Sequence, residues 1–210
     1  MLWVPCAPHC MDLLLEDMGK MPWAKETIEP VRDLVTFIRN HQGALAIFSS
    51  ISERARDTCF GTVYLMCERM LLVKQALKQL WVHNDMEKWR KKNKKAGAEY
   101  TRLQDVLINS PRAWRRVEDL VALSTPIMVL LRLADSSAAT MGKIYYRCVE
   151  LKRHLETVNL YSTTTAQRRE VLRVFQERWD MLHSPLHSAG APQGPHGSSV
   201  VSLSSVANVR

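Results

Sequence analysis

The sequence lacks any apolar run long enough to cross a membrane. Its longest apolar stretches, such as residues 126–131, fall far short of the ~20 residues that a membrane-spanning helix requires. No secretory signal is visible, because residues 1–4 lead directly to Pro5 without a basic segment. The five cysteines are odd in number and irregularly spaced, which argues against a disulfide framework. We therefore expect a soluble intracellular protein with reduced thiols and no membrane partner.

Motifs for nucleophilic or phosphate chemistry are also absent. The sequence has neither a G-x-S-x-G element nor a glycine loop that would cradle a phosphate, and its eight glycines are scattered. Asp12, Glu16 and Asp17 lie at helical spacing beside an apolar face, which favours a solvated face over a metal pair. The sequence therefore predicts no catalytic residue, no cofactor and no small-molecule substrate.

What the sequence does contain is apolar material arranged mainly with a helical period. Apolar residues make up 46% of the 210 residues, which is enough for a sizeable core. Helices are predicted over residues 9–18, 28–51, 63–82, 99–108, 112–133, 138–158 and 166–182. The expected fold class is mainly α, with one short N-terminal strand over residues 1–6, a helical bundle, and a disordered C-terminal tail over residues 188–210.

Individual residues predict where these helices begin and end. Gly19 is expected to cap the first helix, and Gly43 to divide the second. Ser110 and Pro111 form a start signal, whereas Pro126 is expected to kink or interrupt the helix that follows.

One charge run stands out in a basic chain. Lysine and arginine outnumber aspartate and glutamate by 29 to 21, a formal charge of +8, which favours polyanionic partners. Residues 88–95 carry six positive charges and no negative one. The run is a solvated helix end or loop, a nuclear-localisation signal, or a phosphate-contacting patch in which Trp89 stacks on a base. The candidate nucleic-acid-binding residues in it are Lys88, Trp89, Arg90, Lys91, Lys92, Lys94 and Lys95.

Cys6-x-x-His9, followed by Cys10, is the only compact cluster of metal-ligand types. A structural zinc site needs four ligands, usually as two closely spaced pairs, and no second pair is evident. The cluster is therefore expected to be a strand-to-helix junction, with no metal bound.

Several segments, taken in order, resemble plant transposases of the hAT superfamily. The segment that begins Trp3-Val-Pro-Cys-Ala-Pro-His9 and ends Met18-Gly-Lys-Met-Pro-Trp23 is similar to their C-x-x-H strand–helix element. Five shorter matches follow at residues 35–41 (VTFIRNH), 131–135 (LRLAD), 141–145 (MGKIY), 178–180 (RWD) and 182–189 (LHSPLHSA). Collinear matches over about residues 3–190 are more specific than any single motif.

The resemblance implies a partial ribonuclease-H-like core with a helical insertion. In that family three acidic residues bind divalent metal, with Mg²⁺ the expected ion, and drive DNA strand cleavage and joining. The matched segments include none of the three, so we expect a truncated protein that is not an enzyme. The implied division is a core remnant of strand plus helix over residues 1–22, the insertion over 23–187 and the tail over 188–210. The expected location is the nucleus, with the cytoplasm as the alternative.

The sequence departs from the family at one DNA-proximal position. The family has Thr-Arg-Phe or Thr-Arg-Trp shortly before its long insertion helix, and Thr58-Cys59-Phe60 stands in that place. Phe60 keeps an aromatic ring for stacking on DNA, whereas Cys59 lacks the positive charge.

Three functions follow from these observations. The first is a transposase-derived protein that is catalytically incomplete and keeps some DNA binding. The second is a domesticated helical module that binds other helical proteins through the apolar face of residues 63–82. The third is a decayed gene product without a selected function.

Overall fold

The computed structural model describes residues 6–52, 63–136 and 141–182, and this part of the chain is helical without a strand. It contains α1 (Ala7–Lys20), α2 (Pro22–Asn40), α3 (Gln42–Ile51), α4 (Val63–Leu72), α5 (Lys74–Val82), α6 (Asn84–Lys92), α7 (Lys94–Leu103), a π-helical turn (Gln104–Ile108), α8 (Pro111–Asp135), α9 (Met141–Thr157) and α10 (Thr165–Leu182). The predicted mainly helical class is confirmed. The predicted strand, apart from Cys6, and the predicted tail over residues 188–210 lie outside the described residues.

The described residues form two compact units. One comprises residues 6–16, 125–136, 141–158 and 168–182, and the other comprises residues 17–52, 63–124 and 159–167. The second unit contains α2–α7, which pack through a continuous apolar core. The division inferred from the family resemblance, at residues 22 and 187, stays a prediction.

The break within residues 28–51 lies at His41 and not at Gly43. α2 begins at Pro22, whose missing N–H suits a first helical position, and it continues through Pro30 to Asn40. His41 has an extended backbone (φ −117°, ψ 90°), and its Nδ1–H donates to the Phe37 carbonyl oxygen at 2.7 Å. Because this bond satisfies one of the last carbonyls of α2, the helix ends here, and Gly43 lies inside α3.

The predicted helix over residues 63–82 is two helices with one shared apolar stripe. Val73, with φ −100° and ψ 7°, separates α4 from α5. The stripe itself is confirmed, since six of its members are buried: Met66, Met70, Val73, Leu77, Leu80 and Trp81. Burial of the stripe against other helices sets this geometry, which periodicity alone does not reveal.

Gly19 does not cap α1, which continues to Lys20. A Cβ atom on Gly19 would lie 3.2 Å from the hydroxyl oxygen of Tyr64. The small residue is therefore explained by the close approach of Tyr64.

Ser110 and Pro111 start α8 as predicted, because the Ala113 N–H donates to Ser110 Oγ at 3.2 Å. Pro126 does not interrupt α8, which continues to Asp135. Proline inside a helix costs about 3 kcal/mol, whereas burying one large aliphatic side chain contributes about 1.5–3 kcal/mol. Burial of Leu123, Ile127 and Leu130 therefore offsets the free-energy cost of Pro126 inside the helix.

Candidate nucleic-acid interface

Residues 88–95 lie on two consecutive helices. α6 carries Lys88, Arg90, Lys91 and Lys92, a single residue (Asn93) follows, and α7 begins with Lys94. We call the six cations of this run, namely Lys88, Arg90, Lys91, Lys92, Lys94 and Lys95, the lysine-rich surface. The interpretation as a loop is therefore wrong, and the run belongs to helix ends, with its lysine side chains exposed.

The acidic residues of α6 neutralise part of the lysine-rich surface. Lys88 pairs with Asp85 at 3.0 Å and Lys91 with Glu87 at 2.9 Å. The hydrogen bond from Lys88 lowers the pKa of Asp85, and the bond from Lys91 lowers the pKa of Glu87. Both pairs are exposed, so each contributes little to stability.

Lys92, Lys94 and Lys95 have no carboxylate partner among the described residues. Lys94 and Lys95 lie in the first turn of α7, and that turn contains no acidic residue. A helix N-terminus carries partial positive charge and disfavours lysine. The positive charge of Lys94 and Lys95 is therefore locally unfavourable, and a bound anion would relieve it.

Arg90 is held in place by an aromatic pair. Its guanidinium carbon lies 5.5 Å from the centroid of the Tyr100 ring. Tyr100 in turn stacks on Trp81, with centroids 5.1 Å apart and planes at 12°, and its hydroxyl donates to the Trp81 carbonyl oxygen at 2.8 Å. Burial raises the pKa of Tyr100, although the positive charge of Arg90 acts in the opposite direction. The Arg90 stem is thus fixed to the core of its unit.

Trp89 packs inward. Its ring makes edge contacts with Phe37 (centroids 5.9 Å apart) and His41 (5.1 Å). A Cβ atom on Gly43 would lie 2.6 Å from Trp89 Cδ1, so the indole lies directly on the backbone of α3. Trp89 therefore fastens α6 to α2 and α3. The buried Met86 three residues earlier is the signal from which this inward orientation follows.

A surface cavity of about 510 Å³ adjoins the lysine-rich surface. Three cationic residues, Arg90, Lys91 and Lys94, line it on one side, and the remaining lining residues are Gly97, Ala98 and Thr101. A Cβ atom on Gly97 would have no neighbour within 4 Å. Small side chains beside exposed cations leave the backbone of α7 open to a bulky anion.

The remaining candidate residues lie elsewhere. Cys6 and His9 are exposed at the start of α1, and within the described ranges no group of three or more histidine, cysteine or acidic residues is placed to hold a metal ion. Phe60 lies outside the described residues.

No protein-family profile, curated protein or solved structure matches this chain. The resemblance to transposases is one of sequence motifs alone and stays a prediction. Among the helices of the described ranges, none has both the length and the apolar character needed to cross a bilayer.

Proposed function

We propose that this chain is a transposase-derived, catalytically incomplete protein that binds nucleic acid through the lysine-rich surface. The observation that carries the proposal is the placement of Lys94 and Lys95 in the first turn of α7 without an acidic residue. A helix N-terminus prefers acidic residues, yet here it carries two lysines. Such conflicts with a local preference are expected at functional sites. A phosphate group would accept hydrogen bonds from these ammonium groups and from the N–H groups of the helix end.

The anchoring of the surface also supports the proposal. Arg90 is held over Tyr100, and Trp89 fastens α6 to its neighbours. Cations carried on a helix that is held in place lose less backbone entropy on binding than cations on a flexible tail do. The contacts expected are to phosphate oxygens, so binding should depend little on base sequence.

The resemblance to hAT transposases is the basis for proposing that the protein is derived from a transposase. It assigns none of the three catalytic acids to a residue of this sequence, so the proposed protein has no cleavage activity and no resident metal. DNA is the proposed partner, and the nucleus the proposed location.

The alternative interaction module is less well supported. It requires the apolar face of residues 63–82, and that face is buried within its own unit, with Leu77 and Leu80 fully covered. A partner would have to displace neighbouring helices to reach it.

Fluorescence polarisation with a labelled duplex of roughly 20 base pairs, measured over a range of salt concentrations, tests the proposal. The full chain should bind with a dissociation constant of about 10⁻⁴–10⁻⁶ M near physiological salt. In the variant Lys92→Gln, Lys94→Gln, Lys95→Gln, binding should weaken, and the slope of log K against log salt should fall by up to about 0.9 for each lysine that contacts a phosphate.

The matched control removes three exposed cations elsewhere, by Lys25→Gln, Lys78→Gln and Arg169→Gln. Both variants carry the same net charge, so a general electrostatic effect would weaken them equally. Equal binding by the two variants would contradict the proposed surface, and no binding by the unmodified chain would contradict the proposed function.

A further inference from the structure

Three of the cysteines that the structure describes belong to the same compact unit. Cys6 lies directly before α1 and is exposed, whereas Cys10 in α1 and Cys148 in α9 are fully buried. All three thiols are free. We propose that they form an oxidation site, in which a small disulfide reacts with Cys6 and the oxidation ends as a disulfide bond between Cys10 and Cys148.

Cys6 and Cys10 are neighbours because one helical turn separates them. The Cys10 N–H donates to the Cys6 carbonyl oxygen at 3.1 Å. Four residues along a helix correspond to about 6 Å between Cα atoms, and disulfide bonds join Cα atoms that are about 4.4–6.8 Å apart. The transfer of a disulfide bond from Cys6 to Cys10 is therefore within reach.

α10 is a common neighbour of Cys10 and Cys148. The ring of Tyr145, which lies one turn before Cys148 in α9, has its centroid 5.2 Å from that of Trp179 in α10. Arg178, next to Trp179, acts electrostatically on Cys10, and Cys10 acts electrostatically on Cys148. Such effects fall off with distance. The two buried thiols therefore lie close together, where α1, α9 and α10 meet.

Burial makes the two inner thiols poor targets for an oxidant in solvent. It is the main cause of the raised pKa of Cys10, which the positive charge of Arg178 opposes and the charge of Cys6 increases. Burial also raises the pKa of Cys148 to about 12, and Cys10 adds to this rise. Because the thiolate is the reactive form of cysteine, the exposed Cys6 is the point at which the oxidant enters.

With oxidised glutathione as the small disulfide, the oxidation takes three exchange steps. The Cys6 thiolate attacks one glutathione sulfur and bonds to it, and the second glutathione leaves as a thiolate that takes up a proton. The Cys10 thiolate then attacks the Cys6 sulfur and releases the first glutathione in the same way. Finally the Cys148 thiolate attacks the Cys10 sulfur, and Cys6 leaves and regains a proton. Two thiols of the chain are thus oxidised to one disulfide, while one glutathione disulfide is reduced to two thiols.

The product ties α1 to α9 across a long stretch of chain. A disulfide bond restricts the unfolded chain most when it closes a long loop. In a reducing compartment such a bond is transient and typical of redox sensing. The oxidation site shares no residue with the lysine-rich surface, so the inference does not rest on the proposed function.

Treatment of the reduced full chain with oxidised glutathione at about pH 8, followed by acid quenching and non-reducing peptide mapping, tests the proposal. Glutathione is bulky and charged, so it reacts with exposed thiols first. The native chain should accumulate the Cys10–Cys148 disulfide. In the variant Cys6→Ser, which changes an exposed side chain, this disulfide should form at least about tenfold more slowly. Circular dichroism verifies that the variant is folded.

Cys67 is a matched control within the same chain. It is buried in the other unit, and burial raises its pKa to about 12, as it does for Cys148. Cys67 should stay reduced while the Cys10–Cys148 disulfide forms. Oxidation of Cys67 as fast as Cys148 would mean that unfolding admits the oxidant, and it would overturn the proposal.

Three other results would also overturn the proposed oxidation site. The first is that the Cys10–Cys148 disulfide forms equally fast in Cys6→Ser. The second is that Cys148 stays reduced while Cys6 and Cys10 are oxidised. The third is that the native chain is not oxidised under conditions that oxidise it in urea.

Discussion

Asp119 in α8 accepts two hydrogen bonds from Thr163, one from its backbone N–H at 2.8 Å and one from its hydroxyl at 2.9 Å. The same carboxylate accepts from the N–H groups of Tyr161 at 2.8 Å and Ser162 at 2.7 Å. Asp119 is only 1% exposed, and a buried carboxylate is stable only when donors satisfy its oxygens. These four bonds fasten the segment before α10 to α8.

Replacing Asp119 with Ala should therefore destabilise the chain strongly. The change removes the acceptor shared by four part-buried hydrogen bonds, and we expect the free energy of unfolding to fall by about 3 kcal/mol. Urea denaturation followed by circular dichroism measures this. Asp105→Ala, at an exposed position, is the control and should change stability by less than about 0.5 kcal/mol. Equal stability of the two variants would refute the anchoring role.

Two glycines should respond to alanine in opposite directions. Gly43→Ala places a Cβ atom 2.6 Å from two atoms of the Trp89 ring, so the indole must move, at a cost of about 1–3 kcal/mol. Gly97→Ala meets no atom within 4 Å inside α7 and should stabilise by about 0.4–1 kcal/mol. Thermal unfolding of both variants measures whether each substitution raises or lowers the stability of the chain.

The packing explanation for Gly43 has its own control. If the steric contact with Trp89 is the cause, a smaller side chain at position 89, as in Trp89→Leu, should remove most of the additional cost of Gly43→Ala. A cost of Gly43→Ala that stays the same in the Trp89→Leu background would mean that the contact does not matter.

The cysteines should differ in reactivity. Cys6 is exposed, whereas Cys67 and Cys148 are buried, and burial raises the pKa of each buried thiol to about 12. At pH 8 such thiols hold roughly a thousandfold less thiolate than an ordinary cysteine. Iodoacetamide labelling followed by peptide mass mapping should therefore modify Cys6 before Cys67 and Cys148, and the latter two only in urea. Labelling of Cys67 as fast as Cys6 in the native chain would count against this.

The raised pKa values of Cys67 and Cys148 predict that the chain loses stability at alkaline pH. In the unfolded chain they lose protons near pH 9, whereas in the folded chain they keep them until about pH 12. A raised folded-state pKa contributes stability that is present below pH 9 and lost as pH rises toward 12, by up to about 1.4 kcal/mol per pH unit for each thiol. Urea denaturation at pH 8 and pH 10.5 measures the decline.

The variant Cys67→Ala, Cys148→Ala is the control for the alkaline effect. It should be less stable at pH 8 because it leaves cavities, yet its stability should fall less between the two pH values. An unchanged difference between pH 8 and pH 10.5 would assign the decline to other groups. Burial also raises the pKa of Tyr64, so Tyr64 contributes in the same direction at higher pH.

Part of the candidate site is readable from the sequence. The run of six cations is visible in residues 88–95, and its exposure follows from its composition. Its partial neutralisation by Asp85 and Glu87 is also local, because the pairs are three and four residues apart. The spacing of Met86 and Trp89 indicates on which face of α6 the ring lies, whereas its partners Phe37 and His41, about fifty residues earlier in the chain, are evident only from the tertiary structure.

The sequence by itself determined the helical class and the apolar stripes, such as the one over residues 63–82, because these depend on the spacing of neighbouring residues. It also determined the start of α8 at Ser110 and Pro111. Only the tertiary structure decided that α8 continues through Pro126 and that Asp119 is an anchor. The physical reason is that burial and hydrogen bonds between distant segments, such as the bond from Thr163 to Asp119 across 44 residues, outweigh local preferences of a few kcal/mol.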